Sequence, residues 1–440
     1  MKVHLTMLGC AKNQVDSEIL LGRLAAAGHT ICLQPEAAEV IIVNTCAFIE
    51  AAINEAIDTI LELAFFKTEG NCRQLIVCGC LPQRFGENLA ETMPEVDLFF
   101  GTGALDQLPA ALDAAPGAFA RCVLPSPDRS VEQQPDDSRV CDPAYSVYIK
   151  IAEGCDRHCT YCIIPKLRGR QRSRPLGDIV AEARHLIESG ARELILVAQE
   201  TTAYGRDLSS SPGLPELLRS LSDLSPQTWI RLLYAHPASL DDATIAVMAE
   251  RDNICSYFDV PIQHAADRLL RRMGRGHTAA EAAALFDRIR TSDPGAVLRT
   301  TAMVGFPGET EFDFEELLGF VKQIQFDHLG GFIYSEAEDI RAYHLDGRVN
   351  PATAQNRYDR LMTAQADISG ARNQARIGRV VEVLLEEKIE PGLFEGRAWF
   401  QAPEVDGITC VSCPRDSSPG DIVAARLTDA TTYDLTGEML

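Results

Sequence analysis

Short apolar runs alternate with helical-period stretches along the first part of the chain. VHLTML at Val3, VIIVNT at Val40, QLIVCG at Gln74 and DLFFG at Asp97 read as strands, with helical patterns starting near Asn13, Phe48 and Gln83. This alternation predicts an open parallel sheet with crossover helices over residues 1–115. Residues 116–140 are rich in Pro, Asp and Ser (PSPDRS, EQQPDDS) and read as a linker or weak hairpin. Over 141–373 the alternation resumes with SVYIKIAEG, ELILVAQ, WIRLLYA, SYFDVPIQ, VLRTTAMVGF and HLGGFIYS as strands. Six or so such units predict a complete or partial α/β (TIM-like) barrel, whose chemistry sits at the carboxyl ends of its strands. The last block, 376–440, changes period: VVEVLLEE, GLFEGRAWFQ, GITCVS and DIVAARLTD are short strands between Gly and Pro turns, as in a small all-β, OB-like barrel. The chain is thus read as a multidomain α/β protein.

Composition narrows the partners. Apolar residues are 46% and charged residues 24% of the chain, which suits a globular protein and excludes disorder or collagen as the main architecture. Lys plus Arg number 41 against 63 Asp plus Glu, a net charge of −22. Phosphate backbones repel such a chain, so nonspecific nucleic-acid binding is disfavoured and a basic protein suits it better. MKVHLTMLGC lacks the apolar core of a signal peptide, and no apolar stretch approaches the length of a spanning helix. A cytoplasmic protein without membrane contact is expected. In that reducing compartment the 14 cysteines are candidate metal ligands or redox groups rather than a disulfide framework.

Two cysteine sets stand out. Cys155-Asp-Arg-His-Cys159-Thr-Tyr-Cys162 follows the first barrel strand directly. Three thiolates so close together can ligate three irons of a 4Fe–4S cluster and leave the fourth iron open; the alternative is a zinc site that His158 would have to complete. Cys10, Cys46 and Cys80 each fall just after a strand, at intervals of 36 and 34 residues, one β-α unit each time. Parallel strands end on one edge, so these thiols can converge, although buried core cysteine is an equally good reading from spacing alone. Cys78 belongs to a strand interior, Cys410 and Cys413 form a lone CxxC, and Cys32, Cys72, Cys122, Cys141 and Cys255 have no ligand spacing.

The CxxxCxxC loop with Tyr161 before its last cysteine resembles the radical S-adenosylmethionine (SAM) superfamily. The words GCAKNQVDSE, NTCAFIEAA, GCLPQR, IPKLRGRQRSRP, VPIQHAADRLLRRMGRGHT and MVGFPGET together resemble the methylthiotransferases within it, and EGRAWFQAPEVDG with PGDIV and YDLTGE resembles their TRAM domain. The resemblance spans all three blocks. It implies that Cys155, Cys159 and Cys162 hold a 4Fe–4S cluster whose open iron chelates SAM, and that Cys10, Cys46 and Cys80 hold a second one. The superfamily contacts the amino group and ribose of SAM where Gln199 and Glu200 end the second barrel strand, a place that also reads as a solvated loop. Gln263 and His264 end the fourth strand and read as SAM or substrate contacts, or for His264 as an ordinary hydrogen-bonded histidine. GFPGET from Gly305 to Thr310 reads as a loop for close backbone approach to the cofactor. Lys166, Arg168, Arg170, Arg172 and Arg174 alternate along the chain and read either as an attractor for a carboxylate or as a solvated face. YSEAEDIRAY from Tyr334 departs from the family's Gly-Thr turn.

Two family branches differ in substrate: one modifies an adenosine of transfer RNA, the other an aspartate of small-subunit ribosomal protein S-twelve. GCAKNQ and NTCAFIEAA resemble the second. From Ile377 to Leu440 there are 5 Lys and Arg against 12 Asp and Glu, net −7, which is poorly suited to RNA and well suited to a basic ribosomal protein. The transfer-RNA branch is the alternative; an electron carrier or sulfur-trafficking scaffold is disfavoured because carriers usually close all four iron positions. The implied reaction uses two SAM: one methylates sulfide at the second cluster, and the other yields a 5′-deoxyadenosyl radical that takes hydrogen from the aspartate β-carbon. Implied partners are protein S-twelve, free or on the small subunit, a flavodoxin-like or ferredoxin-like electron donor, and a sulfur donor.

Overall fold

The computed structural model describes residues 1–115, 117–129, 139–141, 145–209, 212–414 and 416–440. The N-terminal sheet contains β1 (Lys2–Met7), β2 (Thr30–Ile31), β3 (Val40–Thr45), β4 (Gln74–Gly79), β5 (Leu98–Phe100) and β6 (Cys122–Val123). All neighbours are parallel, in the order β2-β1-β3-β4-β5-β6. Every residue of β3 is buried, as a central strand covered by helices on both faces requires. The strand order reverses direction between β1 and β3, which opens a crevice at their carboxyl ends. β6 lies within the stretch read as a linker: two residues of it pair with Phe99 and Phe100 and extend the sheet edge. Such a short pairing has no period of its own to reveal it. Most of the remaining PSPDRS–EQQPDDS stretch lies outside the described residues.

The central domain contains β7 (Ser146–Lys150), the short antiparallel pair β8 (Ala152–Glu153) and β9 (Arg172–Ser173), and then β10 (Glu193–Val197), β11 (Trp229–Leu232), β12 (Tyr257–Asp259), β13 (Val297–Val304) and β14 (His328–Ile333). Two parallel triplets, β7-β10-β11 and β12-β13-β14, meet through a bridge between Ile230 and Ile254. Six barrel strands leave the barrel partial, with β7 and β14 at its edges. The N-terminal helix Ala11–Ala26 packs against β7, and the long helix Pro351–Gln374 packs against β14. The outward faces of the strands and their helices form the largest apolar core. Among the described residues no helix is long and apolar enough to cross a membrane.

The C-terminal domain is a closed barrel of β15 (Val380–Glu390), β16 (Leu393–Ala398), β17 (Thr409–Ser412), β18 (Ile422–Ala430) and β19 (Leu435–Met439), ordered β15-β16-β17-β19-β18. β19 is the strand the pattern did not reveal. It pairs parallel with β17 and antiparallel with β18, and so closes the barrel. Val383, Leu385, Phe394 and Phe400 share one apolar cluster with Tyr148, Ile195, Tyr257 and Val297 of the central barrel. At the amino ends of the strands Arg397 reaches Glu193, the first residue of β10, at 2.6 Å, and Arg231 meets the same carboxylate at 2.7 Å. The small barrel therefore caps the end of the central barrel opposite the cysteine loop.

Candidate active site at the seam between two sheets

The N-terminal trio sits where the strand order reverses. Cys10 directly precedes the helix Ala11–Ala26, and Cys80 is the first residue of the helix Cys80–Thr92. Cys46 follows β3, a few residues before the helix Glu50–Ala64. Helix amino ends favour thiolate, so these are suitable positions for ligating sulfur. The glycines in the GC words are spatial requirements. Gly9 has φ +101°, and a Cβ there would come within 2.6 Å of the Cys46 Cβ; Gly79, φ +94°, has no room for a Cβ beside Asn44. The two asparagines of the motif words lock the loops together. Asn13 donates to the Leu8 and Thr45 carbonyls at 3.0 Å each, and Asn44 donates to Ser17 Oγ at 2.9 Å.

Burial raises the Cys10 thiol, but Lys12 and Arg168 outweigh it and bring Cys10 below its ordinary value. Burial dominates at Cys46, which is raised, and at Cys80, which is pushed up to about 11. Cys46 feels the charge of Cys10, and Cys80 feels both, so the structure brings the three predicted residues together. Cys10 is the most open of the three and Cys80 is buried. Among the described residues, no three His, Cys, Asp or Glu side chains crowd around a single-ion site. Ligands of a 4Fe–4S cluster each take a different iron, so a cluster does not need such a single-ion site.

The barrel trio lies on the loop after β7 and β8. Gly154, φ +79°, must be glycine because a Cβ would collide with the Arg170 carbonyl. The Cys155 N–H donates to the Gly169 carbonyl at 3.0 Å, and the Cys162 N–H to the Cys159 carbonyl at 3.2 Å. Arg275 lies 3.7 Å from Cys159 Sγ and donates to the Tyr161 hydroxyl at 3.3 Å. Burial pushes Cys155 up to about 11 and Cys162 up to about 12. Burial thus favours the neutral thiol at Cys155 and Cys162, and a bound metal would displace the proton. His158, which a zinc site would need turned inward, is exposed.

An ionic chain ties the two trios. Arg168, from the segment after the barrel cysteines, is buried and donates to Asp16 Oδ2 at 2.7 Å and to Asn13 Oδ1, both on the helix that follows Cys10. Lys150 at the end of β7 joins the same Asp16 and also Glu153, at 2.7 Å from the latter. Glu153 accepts from the Gln199 amide at 2.7 Å, which leaves the buried Gln199 Oε1 without a partner among the described residues. Glu200 is held by Arg157 through bonds of 2.7 and 2.8 Å. Gln263 adopts a left-handed φ of 68°, locked on both sides to β13, and its Oε1 is buried and likewise without a partner among the described residues. Nearby His264 faces Glu309 of the GFPGET stretch at 3.5 Å, and Glu309 accepts from the Gly305 N–H.

Most of the basic run is tied down within the fold, while Arg170 is exposed. Arg168 is in the ionic chain, Arg174 pairs with Glu182 at 2.5 Å, Arg172 lies 3.5 Å from Asp128, and Lys166 donates to the Asp339 carbonyl. The YSEAED stretch is used structurally, because Asp339 pairs with Arg84 of the N-terminal domain at 2.5 Å. Asp16, Arg157 and Arg275 were not singled out from sequence, because their partners lie far along the chain; Glu153 was missed although Lys150 is three residues away.

The matched families follow these three units. Residues 2–101 match "Uncharacterized protein family UPF0004", 149–321 the "Radical SAM superfamily" and 377–440 the "TRAM domain". Among solved structures, the radical SAM methyltransferase TsrM from Kitasatospora setae, with tryptophan and a SAM analogue, superposes with a TM-score of 0.57 at 15% identity, covering 75% of this chain and 72% of that one. The cobalamin-dependent radical SAM enzyme OxsB gives 0.54 at 13% identity over 83% and 56% of the two chains. Both are likenesses of fold. The sequence relatives are nearer: a protein of Desulfosudis oleivorans is 61% identical over 100% of both chains, and one of Geobacter sulfurreducens is 44% identical over 100% of this chain and 98% of its own. Both carry the name ribosomal protein uS12 methylthiotransferase RimO. With full-length identity at that level, matching domains and both cysteine trios on the strand ends, the chain belongs to the RimO family of radical SAM methylthiotransferases.

Proposed function

We propose that this enzyme places a methylthio group on the β-carbon of an aspartate in ribosomal protein uS12, the small-subunit protein S-twelve. The observation that carries the reading is the seam: two cysteine trios, each at the carboxyl ends of a parallel sheet, joined by the buried Arg168–Asp16 pair. Cys155, Cys159 and Cys162 would hold one 4Fe–4S cluster and Cys10, Cys46 and Cys80 the other, each leaving one iron open. With SAM bound, these clusters supply a radical able to take hydrogen from an unactivated carbon and a seat for the sulfur that replaces it.

The protein's own groups bind, orient and exclude water. Gln199 Oε1 and Gln263 Oε1 are buried acceptors without partners among the described residues, the form of site that the donors of a SAM ammonium or adenine would complete. Glu200, fixed by Arg157, would offer its carboxylate to the ribose hydroxyls. The aspartate β-carbon sits beside a carboxylate that is already negative, so removing a proton by a general base would be very costly, and a radical route avoids that charge. The electron donor would be flavodoxin-like or ferredoxin-like, and a separate donor would renew the sulfur. The test is anaerobic reconstitution with SAM, a reductant and a uS12 peptide. Mass spectrometry should find one methylthio group replacing hydrogen on the aspartate. A peptide left unmodified while transfer RNA gains methylthioadenosine would overturn the reading.

A further inference from the structure

Lys12 stands two residues beyond Cys10, in the first turn of the helix Ala11–Ala26. It does not join the ionic chain beside it. Lys150 and Arg168 are both saturated by Asp16 and Glu153, whereas among the described residues no carboxylate pairs with Lys12. Its Nζ instead lies 3.6 Å from the centroid of the Tyr234 ring. Tyr234 follows β11, at the carboxyl end of the central barrel, so this contact bridges the two domains across the seam.

The ring is held there at a backbone cost. Tyr234 has φ 61°, a left-handed conformation that bulky residues rarely adopt. Two bonds from the barrel impose it: the Tyr234 N–H donates to Asp259 Oδ2 at 2.8 Å, and the Tyr234 carbonyl accepts from the Thr201 N–H at 3.1 Å. An aromatic face holds an ammonium in place without neutralising it. In a chain with 63 acids and 41 bases, this half-buried lysine, flanked by Cys10 and the Tyr234 ring and paired with no carboxylate among the described residues, can take an acid as its counter-ion.

We infer that Lys12, steadied by Tyr234, is the counter-ion for the side-chain carboxylate of the substrate aspartate and is a positioning residue that sets aspartate against asparagine. This rests on the function proposed above and goes beyond it by naming the group that reads the acid. The ammonium would anchor the carboxylate next to the Cys10 trio, and the adjoining β-carbon would then face the barrel's strand ends. Asparagine, with the same shape but no charge, would lose a charge-assisted bond and leave the ammonium partly desolvated and unpaired.

The test compares wild type, Lys12→Met and Lys12→Arg, all reconstituted with iron and sulfide, on two uS12 peptides that carry Asp or Asn at the modified position. Iron content and peptide KM and kcat are measured separately. Lys12→Met should keep its iron, raise KM for the Asp peptide roughly 10- to 100-fold, and lose most of the preference for Asp over Asn. Lys12→Arg, which keeps the charge, should recover most of both. Wild-type KM and undiminished discrimination in Lys12→Met would overturn the inference. Loss of iron from both variants would also overturn it, by assigning Lys12 to the cluster seat. If wild-type enzyme leaves the Asp peptide unmodified, the functional reading has failed and this inference falls with it; normal wild-type turnover with an indifferent Lys12→Met refutes the inference alone.

Discussion

The Tyr257 hydroxyl donates a 2.6 Å hydrogen bond to Asp406, linking the first residue of β12 to the loop between β16 and β17. Asp406 also accepts from the Ala402 N–H at 2.9 Å and lies 3.5 Å from Arg299 and 3.4 Å from His328, with its side chain only 1% exposed. Charge counting alone offers this aspartate to a basic partner, but the fold uses it internally. The same is true of Glu386, which pairs with Arg397 at 2.8 Å and so belongs to the junction with Glu193.

Reversal of Asp406 to Lys should therefore act on stability. It would bury a cation against Arg299, a defect worth roughly 3–5 kcal/mol when one partner of a buried ion pair is lost. Thermal unfolding should show a large drop in Tm, with Asp406→Asn milder. An unchanged Tm for the reversal would show that the junction contributes little.

The two cysteine sets should separate by chemistry. Reconstituted wild type should hold about eight irons, and a triple Ala variant at Cys155, Cys159 and Cys162 about half of them, with SAM cleavage lost. A triple Ala variant at Cys10, Cys46 and Cys80 should still cleave SAM reductively yet form no methylthio product. If 5′-deoxyadenosine disappeared from that folded variant, the division of roles would be wrong.

Acid should weaken the grip of the small barrel through Glu193. Burial pushes this carboxyl up, but Arg397 and Arg231 outweigh it and hold Glu193 down at about 2. A depressed carboxyl stabilises the fold fully above its unfolded pKa of about 4.3, and that contribution fades as pH falls toward the folded value. The amount is on the order of 3 kcal/mol. Denaturant midpoints measured from about pH 5 down to about pH 2 should fall, and Glu193→Gln, less stable at neutral pH, should show a shallower slope. Parallel slopes for the two proteins would assign the acid sensitivity elsewhere.

Glu382, Glu387 and Glu390 are the exposed acids of β15 and have no ion-pair partner among the described residues. Changing all three to Lys should slow association with uS12 and spare the fold. The deficit should shrink as salt rises, since screening at physiological ionic strength already cuts exposed charges off at roughly 8 Å. Equal rates for variant and wild type at low salt would remove this face from recognition.

Legibility tracked sequence distance. Cys155, Cys159 and Cys162 lie within one loop, so local spacing marks them as a set, whereas Cys10, Cys46 and Cys80 recur after strands and become a set only through the resemblance of the words around them. The longer strands of the N-terminal sheet and of the partial barrel were plain from their apolar runs, whereas the two-residue β2 and β6 were not. Arg168 was not, because a basic residue in a basic run carries no sign that its partner, Asp16, lies 152 positions earlier. β19 escaped because LTGEM alternates small and polar residues and its burial depends on closing a barrel. Lys12 was visible only as a letter of a motif; the ring beneath it comes from the other domain.

Arg168 has a further consequence for how such a chain can change over evolutionary time. The segment bearing it follows the cysteines of one domain, and its carboxylate partner follows a cysteine of the other, with Asn13 and Glu153 completing its bonds. Replacing the arginine alone would leave Asp16 to Lys150, and replacing the acid alone would leave Arg168 and Lys150 sharing Glu153, so either change unbalances a buried cluster of charge. A change on one side of the seam is best tolerated together with a matching change on the other, so the two cysteine loops are coupled through their charges.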